Sequence, residues 1–343
     1  MARSLIITRP DDWHVHFRDG HALEHTVLAT AKHFARALAM PNLVPPLTKF
    51  DDLIAYHQRI KAVLPDSNNF MPYLTFYLNE SVTLEDLEKA AAEPFILGAK
   101  LYPAGATTNS EQGAKSIEAL YPILDVMQQH DLVLQIHGEV THGDIFEREQ
   151  AFLYEYLTGL LQNFPKLRMV LEHISTSAAV EFVTQAPERL TATITPHHLL
   201  YNRNHMLVGG VKPHYYCLPI LKKQNDQFAL QKAAVSGNPK FFAGTDSAPH
   251  AQHKKETACG CAGVYSAPYA VSMYAQVFAE LNKLENLEPF LSHFGADFYN
   301  LPPSTQSIEI VEKPHAVADF LPFGDERVIP AGAGQVLPWS VHE

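Results

Sequence analysis

The chain has 343 residues, 46% hydrophobic and 18% charged, a balance that excludes a disordered or low-complexity protein and allows one large buried core. Its 26 basic and 37 acidic side chains leave a formal charge of −11 with no Lys/Arg-rich run, which argues against nucleic acid or an anionic membrane as partner. No segment approaches the roughly 18 apolar residues of a membrane span, and residues 1–10 lack a signal peptide's apolar core, so a cytoplasmic location is expected. Three cysteines, Cys217, Cys259 and Cys261, cannot form a disulfide framework and suit a reducing compartment.

Short apolar or β-branched runs recur at 12–17, 35–40, 70–78, 95–101, 132–136, 167–171, 190–195 and 240–244. Between them lie segments of helical character at 23–34, 53–64, 84–92, 117–129, 145–163, 177–185 and 224–234, followed by a late helical region at 269–299. Residues 81–83 and an acidic first turn suit a helix start at 84. Ile117, Leu120, Ile123, Leu124 and Met127 fall at the three-and-four spacing of one helix face. Eight strand–helix units in succession predict a closed α/β architecture, a (β/α)8 TIM barrel, because right-handed crossovers set each helix outside and each strand beside its predecessor. The alternative, a doubly wound open sheet, lacks the G-x-G-x-x-G turn of its most recognisable form, and phosphate-loop and serine-elbow patterns are missing too. A single domain over 1–343 is expected. Its end, 306–343, is punctuated by Pro314, Pro322, Pro330, Pro338, Gly332 and Gly334 and reads as an irregular wrap over the barrel.

The first run carries D-D-W-H-V-H-F-R-D-G at 11–20. Side chains alternate faces along a strand, so His14 and His16 project together, with Arg18 at the same parity. Chance alone supplies about one H-x-H pair in a chain with 19 histidines, so the motif decides nothing by itself. The C-terminal ends of barrel strands, however, share one mouth. At those ends stand His14 and His16, Lys100 on the fourth run, His137 after the fifth, His173 after the sixth and Asp246 after the eighth. Singly, each histidine would be a hydrogen-bonded core residue and Asp246 a cap; together they predict a metal site.

An ammonium cannot ligate a metal, which makes Lys100 instructive. Burial lowers a lysine's pKa, and the neutral amine can take up carbon dioxide as a carbamate whose two oxygens each hold a cation. Nitrogen and oxygen donors without thiolate suit two Zn²⁺ ions with open positions for water. A hydroxide bridging two zinc ions is a strong nucleophile at neutral pH, and Asp246 could carry its proton to a leaving nitrogen. This chemistry hydrolyses amides.

These residues bring a family into view. H-V-H-F-R-D-G, A-M-P-N at 39–42, G-A-K-L-Y-P-A-G-A-T-T-N-S at 98–110, L-Q-I-H-G-E, L-E-H-I-S-T, Y-C-L-P-I-L-K and G-T-D-S-A-P-H closely resemble, in order, the free-standing bacterial dihydroorotases of the amidohydrolase superfamily. The resemblance runs from about 11 to 268 and implies a (β/α)8 barrel of the metal-dependent hydrolase type. It implies an enzyme that reversibly closes N-carbamoyl-L-aspartate to L-dihydroorotate in pyrimidine synthesis. It also implies a site: His14, His16, carboxylated Lys100 and Asp246 on one zinc, and Lys100, His137 and His173 on the other. Arg18, Asn42 and His250 would bind the substrate carboxylate, with His137 also against the substrate, and backbone groups of Leu218 and Ala262 would hold the ring amide. The small polar stretch 105–113 would be a lid whose Thr107 and Thr108 reach the bound substrate. A homodimer is implied as well. The residue types agree, since a guanidinium offers a planar fork that matches a carboxylate.

Two other readings share much of this pattern. A hydantoinase- or allantoinase-like hydrolase could carry the same metal set, but such relatives build extra β-structure from both chain ends, and only residues 1–10 precede the first run here. A catalytically silent metal-binding relative would be expected to lack Asp246 or the lid threonines, and both are present. His197 and His198, in T-P-H-H-L, have no assigned partner. Cys259-Gly260-Cys261 has no second cysteine pair to complete a metal site and reads as loop. His21, His25, His33, His57 and His130 fall in or beside helical stretches and are expected to be exposed.

Overall fold

The structure, a computed structural model, describes residues 3–342. Strand β1 (Ser4–Thr8) lies outside the central sheet, which begins with β2 (Asp11–Val15) and continues through β3 (Arg36–Ala39), β4 (Met71–Leu78) and β5 (Ile96–Leu101). It is completed by β6 (Val133–Ile136), β7 (Met169–Leu171), β8 (Leu190–Ile194) and β9 (Phe241–Ala243). The eight run parallel in sequence order, each on one of the apolar runs. Nearly every residue of these strands is buried, as expected where helices cover one face and the barrel interior lies on the other. Past the strand ends the ring is drawn shut by two backbone bonds, Asp246 N–H to the His14 carbonyl at 2.8 Å and His16 N–H to the Ser247 carbonyl at 3.0 Å.

The barrel interior is stoppered at its lower end. Trp13 stacks on Tyr299 at 4.6 Å, Arg36 lies over the Trp13 ring and pairs with buried Asp11, and Thr75, Gln135 and Tyr299 form a hydrogen-bonded rung above them. The upper end therefore holds the open cavity. Close strand packing beside it depends on Gly98, where a Cβ would stand 1.8 Å from the Val133 carbonyl oxygen. That fixes β5, and with it Lys100, hard against β6.

Helices Ser177–Gln185 and Gln224–Ala234 fall where periodicity places them, and Thr83 caps Leu84–Ala90 by accepting the Asp86 N–H. Two helical regions differ from expectation. The segment at 145–163 becomes helical only at Arg148 and passes through a π-turn at Leu153–Leu157. The region at 269–299 splits into Ala270–Glu280 and Phe294–Phe298, because Asn282 adopts a left-handed φ of 54° and Pro289 opens a π-turn between them. Among the described residues, no helix is long and apolar enough to cross a membrane.

The tail is more regular than its prolines suggest. It forms β10 (Ser307–Val311), β11 (His315–Ala316), β12 (Leu321–Phe323), β13 (Glu326–Val328), β14 (Val336–Leu337) and β15 (Ser340–His342). β10 pairs antiparallel with β1 on one side and β15 on the other, with Ile7 opposite Ile308 and Leu5 opposite Ile310. The period-two pattern S-I-E-I-V buries Ile308 and Ile310 on one face, and that burial outweighs the surrounding turn residues. Both chain ends thus build a small sheet beside the barrel. Met1, Ala2 and Glu343, which the single-domain expectation includes, lie outside the described residues. His33 is a further correction: it is 8% exposed, packed at the end of its helix rather than solvated.

Candidate active site

The cavity at the upper end of the barrel is lined by His14, His16, Arg18, Asn42, Thr107, Thr108, His137, His173, Leu218, Asp246 and Ala262, together with Tyr102, Ala248 and Gly263. All but two of the site residues singled out from sequence are therefore at its wall. Lys100 is wholly buried just behind it, and His250 stands to the side, between this cavity and an outer hollow.

Three donors converge. His16 Nε2 lies 3.0 Å and His14 Nε2 3.4 Å from Asp246 Oδ1. Ligands about 2.0–2.1 Å from a shared tetrahedral ion stand roughly 3.3 Å apart, so these atoms are spaced to share one. On the other side His137 Nδ1 lies 3.3 Å from His173 Nε2. Carboxylates hold the far nitrogens of two rings, Glu172 Oε2 at 2.9 Å from His14 Nδ1 and Glu139 Oε2 at 3.0 Å from His137 Nε2. Such bonds set the tautomer and leave the other nitrogen facing inward. Glu172 is itself held by the Thr193 hydroxyl at 2.5 Å, which also accepts the His173 N–H at 2.7 Å.

The electrostatics follow from burial. Lys100 is 0% exposed, its Nζ has no hydrogen-bond partner among the described residues, and burial pulls its amine down to about 8 against the attraction of Glu172 and Asp246. Burial likewise drops His16 to about 4 and His173 well below the usual imidazole range. Burial alone would raise the Asp246 carboxyl, but the His16 hydrogen bond and the rings of His14 and His173 hold it well below the carboxylate range. Arg18, His173 and Asp246 all adopt left-handed backbone, with φ of 61°, 41° and 43°. Such strain, about 1–3 kcal/mol each, persists only where the surroundings over-determine it, and all three residues line the same cavity.

Across the cavity Arg18 Nε donates to the Pro249 carbonyl at 3.0 Å, and His250 Nε2 lies 3.0 Å from both Arg18 Nη2 and the Ala262 carbonyl. That nitrogen can accept from one or donate to the other, according to its tautomer. The 105–113 segment is closed over the opening. Thr108 Oγ1 donates to the Ala262 carbonyl at 3.2 Å and Asn42 Nδ2 to the Thr108 carbonyl at 3.1 Å, while Ser110 braces Thr107 from within the loop.

Several contributors escaped sequence reasoning. Glu172 and Glu139 meet their histidines across the barrel or along a bend. Tyr102 reaches the wall with an unpartnered hydroxyl, and its equal parity with Lys100 was the signal that could have found it. A second cluster, His197, His198 and Cys217, is fully buried nearby. There the nitrogens of His198 are occupied by Thr195 Oγ1 and the Pro219 carbonyl, which also accepts from the Cys217 thiol.

A parallel eight-stranded barrel whose mouth gathers imidazoles, a carboxylate and a buried lysine defines a metal-dependent amidohydrolase. The family model described as amidohydrolase matches residues 75–200. A dihydroorotase of Coxiella burnetii is 53% identical over 99% of this chain and 98% of its own length, and one from Teredinibacter turnerae is 52% identical over the whole of both. The crystal structure of dihydroorotase from Saccharomyces cerevisiae, solved with 5-fluoroorotic acid, superposes with a TM-score of 0.90 at 35% identity, covering 99% of this chain and 98% of that one. The chain belongs to the dihydroorotase family and is a cyclic amidohydrolase, which sets aside the hydantoinase-like and silent alternatives.

Proposed function

We propose that this chain closes N-carbamoyl-L-aspartate to L-dihydroorotate, reversibly, with two zinc ions held by His14, His16, Asp246, His137, His173 and a carboxylated Lys100. The observation that carries this reading is Lys100: an amine wholly buried, without a hydrogen-bond partner among the described residues, beside converging imidazoles and a carboxylate. A carbamate there would turn an unpaired cation into an anion facing both halves of the donor set. When bound, the metals supply Lewis acidity at the reacting carbonyl and lower the pKa of water.

The chain's own residues do the rest. Asp246, at the cavity wall, takes the proton of the water that attacks the ring carbonyl and passes it to the departing ring nitrogen. In the closing direction the same carboxylate takes the proton from the attacking nitrogen and returns it to the departing oxygen. Arg18 presents its guanidinium to the substrate carboxylate, with Asn42 and His250 beside it, and His137 lines the same space. Backbone groups of Leu218 and Ala262 face the ring amide, and Thr107 and Thr108 close over it and exclude water. The yeast relative was crystallised in complex with 5-fluoroorotic acid, a pyrimidine carboxylate, which supports this substrate class. A homodimeric, cytoplasmic enzyme completes the reading.

The test is metal content and dihydroorotate hydrolysis on one preparation, wild type beside Lys100→Ala. About two zinc ions per chain with activity, both lost in the variant and restored by a small carboxylic acid, is the expected result. Full activity in the variant would refute the carbamate bridge, and a metal-loaded wild type inert towards dihydroorotate would refute the substrate.

A further inference from the structure

Lys255 ends the short helix Gln252–Lys255 and is 4% exposed. Its ammonium is held by three main-chain carbonyls rather than a carboxylate: Tyr216 at 3.1 Å, Cys261 at 2.9 Å and Gly263 at 2.6 Å. Those three residues are telling. Cys261 and Gly263 flank Ala262, and Tyr216 lies two positions before Leu218, so one side chain grips both segments that reach the cavity with backbone atoms.

Successive carbonyls of an extended chain point in alternate directions. With those of Cys261 and Gly263 turned to the lysine, that of Ala262 is turned the other way. It lies 3.0 Å from His250 Nε2 and 3.2 Å from Thr108 Oγ1, at the cavity wall. The Gly263 N–H closes the pair of segments by donating to the Tyr216 carbonyl at 3.0 Å. Gly263 has a φ of +147°, and a Cβ there would meet the Ala248 carbonyl oxygen at 2.4 Å, so the approach is as tight as a backbone allows. Neither Leu218 nor Ala262 belongs to a strand of the barrel; the nearest backbone pairing is the bridge of Val264 to Ser247, two positions beyond Ala262.

We propose that Lys255 is a positioning residue for the reaction: its ammonium staples the 216–218 and 261–263 segments into one edge that receives the ring amide of the substrate. This rests on the reading that Leu218 and Ala262 take that amide. Burying an ammonium away from any counter-ion is unfavourable, and what offsets it is three carbonyl dipoles aimed at one nitrogen. An apolar side chain of the same length would fill the space and leave the two segments joined only by the Gly263 N–H to the Tyr216 carbonyl, with the Cys261 and Gly263 carbonyls unheld.

The experiment is Lys255→Met, with zinc content, thermal midpoint, kcat and KM for dihydroorotate, and inhibition by succinate, a dicarboxylate with no ring amide. KM should rise about tenfold or more with kcat within about threefold of wild type, while zinc content and succinate inhibition stay unchanged. Should that variant fail to fold, Lys255→Gln, which keeps part of the donor set, should show a smaller rise in the same direction. An unchanged KM overturns the proposal. So does a joint shift of KM, kcat, zinc content and succinate inhibition, which would mark general collapse of the region. A wild type that binds succinate but does not turn over dihydroorotate would overturn the substrate reading on which the proposal stands.

Discussion

At Lys100 a side chain with no exposed surface ends without a hydrogen-bond partner, and an amine so placed lowers its free energy by shedding its proton or by becoming a different group. The residue types around it were readable from the chain because each stands at a strand end. Their bracing was not. His14 and Glu172 are 158 positions apart, and nothing local to either announces the contact. The same holds for Glu149, which accepts the Ser175 N–H at 2.8 Å in a fully buried setting, where burial pushes its carboxyl up to about 7 against the pull of Lys222. Below about pH 4.5 both folded and unfolded forms hold that proton, and the group costs nothing. Between about pH 4.5 and 7 the unfolded chain ionises while the folded chain still holds the proton, so stability falls across that window, by on the order of 3 kcal/mol in all relative to an unshifted carboxyl, and levels off above about 7. Glu149→Gln should therefore be more stable than wild type at pH 8 and lose most of that advantage at pH 5. Urea melts of both proteins at the two pH values, with metal held constant, would decide this; a pH-independent difference would contradict it.

Among the elements, the eight strands were legible because each is buried on both faces and reads as a continuous apolar or β-branched run. The tail strands were not, since β11 to β15 are two or three residues long, and of these only β12 and β13 pair with each other as a local hairpin, the rest drawing their pairing from more distant partners. Only β10 carried a local sign, the alternation of Ile308 and Ile310 with polar neighbours. The 105–113 segment is a different case. Its composition announces a loop, but its closed position depends on Ala262 and Asn42 across the cavity. Those bonds must give way to, or be shared with, an arriving substrate. Replacing both threonines, Thr107→Ala with Thr108→Ala, should lower kcat by about 10- to 100-fold through lost closure while leaving zinc content as in wild type. Steady-state kinetics beside metal analysis would check it, and unchanged kinetics would dismiss the lid.

Across the full barrel, residues from both ends of the sheet meet at one mouth, and the seam between β2 and β9 passes through the site itself: Asp246 and His16 supply the backbone bonds that draw the ring shut. On the proposed metal set, ion binding and closure of the barrel would be coupled. Ions that bind the folded chain stabilise it by mass action, about 2.7 kcal/mol per site at a hundredfold excess over Kd. Chelation should then lower the thermal midpoint by several degrees, and zinc should restore it. A melting temperature indifferent to chelation and zinc would speak against a metal bound at this seam.

The order of residues was enough to establish the barrel and the kind of chemistry at its mouth, because strand burial and side-chain parity are local properties. It was enough, too, to show which strand ends carry donors, since each falls at the close of an apolar run. Folding in three dimensions was needed for the tautomer-setting partners Glu172 and Glu139, the left-handed turns at His173 and Asp246, the contacts of Thr108 across the cavity and the grip of Lys255 on two loops. Glu172, the contacts of Thr108 and the bond from Lys255 to Tyr216 join residues far apart in the chain, while Glu139 and the two left-handed turns are local features that only their buried surroundings hold in place.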